Sequence, residues 1–128
     1  MSMGMTRDEL HAFLQLRARY WSEKDLDGIM ADYDPEVDYI FPTGHFKGTE
    51  QLRDNNQRYL AEFTDIQVDL TRLIVDGEQG ALEWTWSETR LADGTRRSVD
   101  DAIVFVIRDR KIVYWREYFD TGAFKDPD

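Results

Sequence analysis

The stretch KIVYWREYFD, from Lys111 to Asp120, decides how the rest of the chain is interpreted, because it has the pattern of a strand with one acid on an aromatic face. Side chains of a strand point alternately to its two faces, so Trp115, Glu117 and Phe119 share one face. Burial in such a wall disfavours the charged form of a carboxyl group and raises its pKa toward the range used in proton transfer. Glu117 is therefore the first candidate catalytic residue.

Length and charge limit the classes of protein that the chain can represent. Its 128 residues, 41% of them hydrophobic, predict one globular domain over residues 1–128. The 26 acidic residues outnumber the 16 basic ones and give a net charge of -10. Such a charge repels phosphate backbones and anionic lipid head groups, so we expect neither a nucleic acid nor a membrane as partner.

Cysteine content and the N-terminal stretch bear on the compartment. The chain has no cysteine, which excludes disulfides and thiolate chemistry and is compatible with a reducing environment. The opening MSMGMTRDEL has no basic region followed by an apolar segment, and the longest apolar run, 102–107, is too short to span a membrane. These features predict a cytoplasmic protein.

Helix signals come first and strand signals follow. Thr6 and Glu9 form a capping box for a helix that runs to about Trp21, and a second helix follows, with Tyr33 on its apolar face. Thr49 is expected to cap a third helix. Four strands are then predicted at about 66–75, 80–91, 96–107 and 111–120, with Asp-Gly turn signals after the first two. This order predicts an α+β fold with helices on one face of an antiparallel sheet.

The expected hairpin at Asp93–Gly94 brings one acid among tryptophans. A two-residue turn there places Trp86 opposite Asp101 and Trp84 opposite Ile103 on one face of the sheet. Large inward aromatic side chains are typical of small-molecule pockets, although they also occur in ordinary cores.

The last hairpin would bring two acids together. A three-residue loop at 108–110 places Asp101 opposite Glu117, with Cβ atoms ~5 Å apart. Two carboxyl groups that close cannot both ionise cheaply, so the sequence predicts a pair that shares a proton near neutral pH. By the same logic, an odd-length loop at Asp76–Gly77 would turn Ile66, Val68 and Leu70 toward the tryptophans.

Two motifs carry a resemblance to a known family. FPTGHFKG, at 41–48, and the closing KIVYWREYFD resemble the SnoaL-like branch of the nuclear transport factor 2-like superfamily. The resemblance implies a cone-shaped α+β fold of the cystatin-like type, in which a curved antiparallel sheet wraps three N-terminal helices around a pocket, and it implies a homodimer. Members of that superfamily include cofactor-independent polyketide cyclases, limonene epoxide hydrolases, ketosteroid isomerases and scytalone dehydratases.

The resemblance also implies residue roles. Glu117 stands where the cyclases and epoxide hydrolases carry a catalytic acid, usually aspartate. Trp84 and Trp86 stand where the epoxide hydrolases carry an arginine and an aspartate. Phe41 and Ile103 stand where the ketosteroid isomerases carry their base and their oxyanion-hole acid.

The residues and the resemblance together select the candidate site. We expect Glu117 to act as general acid/base, assisted by Asp101 or by His45 in the loop between Gly44 and Gly48. Asp101 could instead pair with an arginine, and Glu88 is expected near a solvated hairpin end. No metal or cofactor is expected. The predicted ligand-binding residues are Trp84, Trp86, Trp115, Phe119, Ile103, Tyr33, Tyr59 and Phe63.

Three functions fit these features. The first is a cyclase, isomerase or hydratase-type enzyme that moves protons on an apolar cyclic substrate. The second is a binding module whose tryptophans and carboxylates hold a hydrophobic or cationic ligand. The third is a dimeric interaction domain with a vestigial pocket.

Overall fold

The predicted α+β order is confirmed in a computed structural model, which describes residues 4–124 and the side chains of 4–122. Part of the N-terminal stretch considered above, residues 1–3, lies outside the described residues. The helices are α1 (Arg7–Ser22), α2 (Leu26–Ala31) and α3 (Thr49–Glu62), and a 3-10 turn follows the last strand at Thr121–Phe124. The strands are β1 (Tyr33–Phe41), β2 (Gly44–Lys47), β3 (Phe63–Asp76), β4 (Gln79–Arg90), β5 (Arg96–Arg108) and β6 (Lys111–Tyr118).

The predicted start of α1 is confirmed, whereas the predicted end of α2 and the predicted cap of α3 are wrong. Thr6 and Glu9 form the predicted capping box, with both hydrogen bonds at 3.1 Å. Tyr33 belongs to β1 rather than to α2, because it pairs with Ile112 of β6. Thr49 is the first residue of α3 and not its cap. Gly48 occupies the cap position with φ 84°, a conformation that favours glycine.

One curved sheet contains all six strands, in the order β2-β1-β6-β5-β4-β3. Its strands pair antiparallel except β1 and β6, which are parallel. The helix α1 packs on β3, and α3 packs on β1 and β3. No helix in the described part of the chain is long and apolar enough to cross a bilayer. The most deeply buried aliphatic side chains between helices and sheet are Leu14, Ile29, Val37, Leu52, Leu82, Ile103 and Ile112.

In the last hairpin the inner-face residues are the predicted ones, but a β-bulge and not the predicted three-residue loop places them there. Its turn has two residues, Asp109 and Arg110, with φ 52° and 61°, the geometry of a type I′ turn. A β-bulge at Val113 then supplies the odd residue. A bulge reverses the facing of everything beyond it, so Glu117 still lies on the inner face.

The first hairpin uses the same device. Gly77 and Glu78 form a two-residue turn, and a bulge at Thr71 restores the inward facing of the residues nearer the start of β3. Val68 consequently pairs with Trp86, as the predicted face requires. The loops at both hairpins were therefore predicted wrongly, while the faces were predicted correctly.

The middle hairpin corrects the predicted pairs. Arg90 and Thr95 close a four-residue loop instead of a two-residue turn. The pairing between β4 and β5 shifts by two residues, so Trp84 rather than Trp86 lies opposite Asp101. An even shift leaves every side chain on its predicted face.

Candidate active site

A cavity of about 480 Å³ lies between the helices and the inner face of the sheet. Trp21 on α1 and Tyr59 on α3 face Trp86 on β4, with ring centroids 5.2 and 6.0 Å from its own. Edge-to-face aromatic contacts of this kind make a rigid apolar wall. Seven of the eight predicted ligand-binding residues line the cavity: Tyr33, Tyr59, Phe63, Trp84, Trp86, Trp115 and Phe119.

Two expected site residues lie elsewhere. Ile103 is 1% exposed and belongs to the packed core, where the two-residue shift places it opposite Leu82 instead of Trp84. His45 is on β2, where its side chain is 52% exposed and contacts Asp38 at 3.1 Å. Neither side chain lines the cavity, so His45 is not in a position to assist a reaction there.

Asp101 and Glu117 line the cavity from neighbouring strands. Ile103 is the residue opposite Glu117, so Asp101 is its diagonal neighbour and not its opposed partner as predicted. The two carboxyl groups are nevertheless close enough for each to change the pKa of the other. Asp101 is 6% exposed, and its Oδ1 has no donor partner among the described residues. A proton held between the two groups removes the cost of burying adjacent acceptors.

Burial raises the pKa values of both acids, and the charge of Glu117 adds to the rise at Asp101. The pKa of Asp101 is raised to about 9, first by burial and then by the charge of Glu117 and the hydrogen bond with it. The nearby indole N–H of Trp84 opposes part of this rise. Burial also raises the pKa of Glu117, while hydrogen bonds from Asp101 and Tyr39 oppose the rise. With a pKa of about 9, Asp101 keeps its proton at neutral pH, and its carboxyl group lies beside a second acid whose pKa is also raised.

Tyr39 completes the surroundings of Glu117. Its hydroxyl donates a hydrogen bond to Glu117 Oε2 at 2.9 Å. The pKa of Tyr39 is raised well above its usual value by burial and by the charge of Glu117, so this hydroxyl remains a donor across the neutral range. Glu117 itself is partly exposed to the cavity, which leaves room for contact with a ligand.

A second polar cluster lines the cavity around Glu88, whose predicted solvation is wrong. Glu88 is 2% exposed. It accepts hydrogen bonds from Tyr59 at 2.5 Å, from Trp86 at 3.0 Å and from Arg97 at 2.7 Å. Burial, followed by the charge of Glu88, raises the pKa of Tyr59 and keeps its hydroxyl protonated. One carboxylate therefore holds α3, β4 and β5 together at the cavity wall.

Sequence reasoning missed Arg17 and Glu88 as site residues, although each gave a signal. Arg17 shares the helical spacing of the apolar face of α1, where a charge is unusual. Glu88 shares the inward parity of Trp84 and Trp86. No group of three histidine or acidic side chains among residues 4–124 is arranged to hold a metal ion.

Comparison with known proteins shows the family to which the chain belongs. The model of the SnoaL-like domain matches residues 10–115. No protein of curated function matches the chain.

Many solved structures share the fold, and three of them illustrate it. A hypothetical protein with a ketosteroid isomerase-like fold from Catenulispora acidiphila, in complex with trimethylamine, has 16% identity and a TM-score of 0.77, over 87% of each chain. TsrD from Streptomyces laurentii has 21% identity and a TM-score of 0.77, over 91% of each chain. An LEH-like epoxide hydrolase of M. tuberculosis has 19% identity and a TM-score of 0.76, over 88% of this chain and 83% of its own. At these identities the likeness concerns the fold alone.

Proposed function

Since the chain belongs to the SnoaL-like domain family, we propose that it is a small-molecule enzyme that transfers protons on an apolar, ring-containing substrate. Glu117 is the general base and Asp101 the general acid. The observation that carries the proposal is a pair of neighbouring carboxyl groups, both with raised pKa values, on the wall of an aromatic cavity. Pairs of acids whose surroundings separate their pKa values recur in acid/base catalysis.

The chemistry follows from the protonation of the pair. The carboxylate of Glu117 takes a proton from a carbon next to a carbonyl group of the substrate, and the electron pair of that C–H bond moves toward the carbonyl oxygen. The carboxyl group of Asp101 gives its proton to this oxygen, which yields an enol. Glu117 then gives its proton to the same or another carbon, and the enol oxygen returns its proton to Asp101, which restores the carbonyl group and the starting state of the pair.

The surrounding residues suit such a substrate. Four tryptophans, Trp21, Trp84, Trp86 and Trp115, line the cavity with apolar surface and exclude water from the reacting atoms. The hydroxyl of Tyr39 donates to Glu117 Oε2 and so fixes the orientation of this carboxyl group in the cavity. A volume of about 480 Å³ is within the usual range for small-molecule sites.

The test measures proton transfer on simple ketones, so the natural substrate need not be identified first. A panel of cyclic ketones is incubated with the protein in heavy water, and deuterium at the carbons beside the carbonyl group is followed by NMR. We expect exchange with the unmodified protein and a loss of about 100- to 10,000-fold with Glu117→Gln. Asp100→Asn is the matched control, because Asp100 precedes Asp101 but is exposed on the outer face.

Two results would contradict the proposal. One is that no ketone in the panel exchanges faster than in buffer. The other is that the Glu117→Gln protein exchanges as fast as the unmodified protein while remaining folded.

A second candidate function is the binding of a cationic amine without chemistry. Aromatic faces and carboxylates attract cations, and the Catenulispora acidiphila structure contains trimethylamine. Three arginines, Arg17, Arg58 and Arg97, also line the cavity and oppose a cation. Calorimetric titration with tetramethylammonium and with a neutral cyclic ketone separates the two functions, and tighter binding of the cation would favour this one.

For the assembly we propose a homodimer formed through the outer face of the sheet. Val104 and Tyr118 are 44% and 50% exposed on that face, where a second copy would cover them. Light scattering of the Val104→Lys protein should then report the mass of a monomer. A monomeric unmodified protein would refute the dimer.

A further inference from the structure

Arg17 is a buried cation on the cavity wall. It is 1% exposed, although it lies in the middle of α1 on the face that carries Leu10, Leu14 and Trp21. Burying a guanidinium group is costly unless its hydrogen bonds and its charge are compensated. The compensation at this position is only partial.

The hydrogen bonds of Arg17 hold its guanidinium in one place. It donates to the carbonyl of Ile29 at 3.1 Å, to Asp32 Oδ2 at 3.2 Å and to the hydroxyl of Tyr33 at 2.9 Å. Its Nε is buried with no partner among the described residues. Asp32 is the one carboxylate bound to it in the described chain, and that side chain is 23% exposed, so water weakens the pairing.

The positive charge of Arg17 is directed at the wall that carries the acid pair. The guanidinium carbon lies 5.8 Å from the ring centroid of Trp115, which is two residues before Glu117 on the same face of β6. It lies 4.8 Å from the ring of Tyr33, which in turn contacts Tyr39, the donor to Glu117. Arg17 therefore acts on Glu117 through a low-polarity wall, where a charge is poorly screened.

Glu117 has few other charged neighbours. Asp101 faces it from β5, Tyr33 and Tyr39 face it from β1, and Asp32 lies just before β1. Hydrogen bonds from Asp101, Tyr39 and Trp115 oppose the rise in the pKa of Glu117 most, and the charge of Arg17 follows. Arg17 is the cation among these causes, whereas the tyrosines are neutral. When two acids share one proton, the difference in electrostatic potential between the two carboxyl groups determines which of them holds it.

We propose that Arg17 is a positioning residue whose buried charge keeps Glu117 ionised and so places the shared proton on Asp101. The catalytic consequence rests on the proposed function, since an ionised Glu117 is the base and a protonated Asp101 is the acid. The position of the proton is a property of the folded protein whether or not it is an enzyme.

The test follows each carboxyl group directly. Protein with ¹³C in the side-chain carboxyl groups of aspartate and glutamate is titrated by NMR, and Glu117→Gln identifies the signal of Glu117. In Arg17→Met, which keeps the length but removes the charge, the midpoint of Glu117 should rise by about half a unit to one pH unit. Arg17→Lys should restore most of the original midpoint. Arg19→Met is the control, because Arg19 is 70% exposed and paired with Glu23.

A second variant covers the case in which Arg17→Met alone fails to fold. Combining it with Asp32→Asn leaves no unpaired charge, and neutral replacements of buried ion pairs are often tolerated. The midpoint of Glu117 should still rise. A folded Arg17→Met or double variant with an unchanged midpoint would overturn the inference and leave Arg17 as a structural link between α1 and α2.

The titration tests the role of Arg17 and the exchange assay tests the proposed function, so either hypothesis can be refuted without the other. A shifted midpoint in a protein that exchanges no ketone keeps this inference and removes the proposed function. If deuterium exchange depends on Glu117 but the titration midpoint of Glu117 is the same with and without Arg17, the proposed function stands and this inference is wrong. In an active enzyme, the acidic limb of the pH–rate profile should move with the midpoint, which loss of stability alone would not cause.

Discussion

Replacing Asp101 with asparagine should stabilise the fold at neutral pH while removing the proton that the site transfers. Asparagine is neutral at every pH and its amide can donate a hydrogen bond to Glu117, so it imitates the protonated acid. The unmodified protein must instead protonate Asp101 to fold at neutral pH. Active-site residues commonly reduce stability in this way, and the effect here has a specific pH dependence.

The magnitude follows from the two pKa values of Asp101. It is about 9 in the folded protein and ~3.9 in an unfolded chain. Between these values the folded state binds the additional proton, so stability falls as the pH rises, by about 1.4 kcal/mol per pH unit. The folded protein is most stable, with respect to this group, below the pKa that Asp101 has in the unfolded chain. This contribution is lost as the pH rises through the pKa that Asp101 has in the folded protein. At pH 7 the cost approaches about 4 kcal/mol, which is the upper limit of the gain from Asp101→Asn.

The assay is urea denaturation of both proteins at several values between about pH 5 and 8. The free energy of unfolding of Asp101→Asn minus that of the unmodified protein should increase with pH, with a slope of up to about 1.4 kcal/mol per unit. Asp100→Asn should give a difference without this slope, because Asp100 is exposed. In Glu117→Gln the slope should shrink but persist, since burial is the largest cause of the raised pKa and remains.

A difference between Asp101→Asn and the unmodified protein that does not change with pH would refute the reasoning. Asp101 would then be ionised in the folded protein at neutral pH, and the pair would hold no shared proton. An asparagine variant less stable than the unmodified protein at pH 8 would refute it equally.

Three further substitutions test other parts of the site. Glu88→Gln should lower the free energy of unfolding by about 3 kcal/mol in urea denaturation, because Arg97 loses a carboxylate bound at 2.7 Å; an unchanged value would deny that the cluster holds the wall. Tyr39→Phe removes the donor to Glu117 and should move the acidic limb of the exchange reaction up by about one pH unit, and an unmoved limb would contradict this contact. His45→Ala should change stability by less than about 1 kcal/mol and leave exchange intact, since that contact is exposed; lost exchange would return His45 to the site.

The sequence alone determined which side chains share a face. Alternation along a strand is a local property of the backbone, so the common inward facing of Trp84, Trp86, Trp115 and Glu117 was predicted correctly. The same local rules predicted the capping box that begins α1. The family, too, was evident from short motifs, and its fold was confirmed.

The tertiary structure alone decided which inward residues meet. The bulges at Thr71 and Val113 and the four-residue loop after Arg90 set the strand pairing, and local composition does not reveal where a bulge will form. The pairing made Asp101 and Glu117 diagonal neighbours and moved Ile103 into the core.

Charge states depended even more on residues far apart in the chain. Glu117 receives its hydrogen bond from Tyr39, 78 positions earlier, and the charge that opposes its protonation comes from Arg17 in the first helix. Glu88 was expected in water, yet it is buried because α3 and β5 close over it. Facing follows from neighbouring backbone geometry, whereas burial and pKa depend on distances through space, which exist only once helices and sheet have packed together.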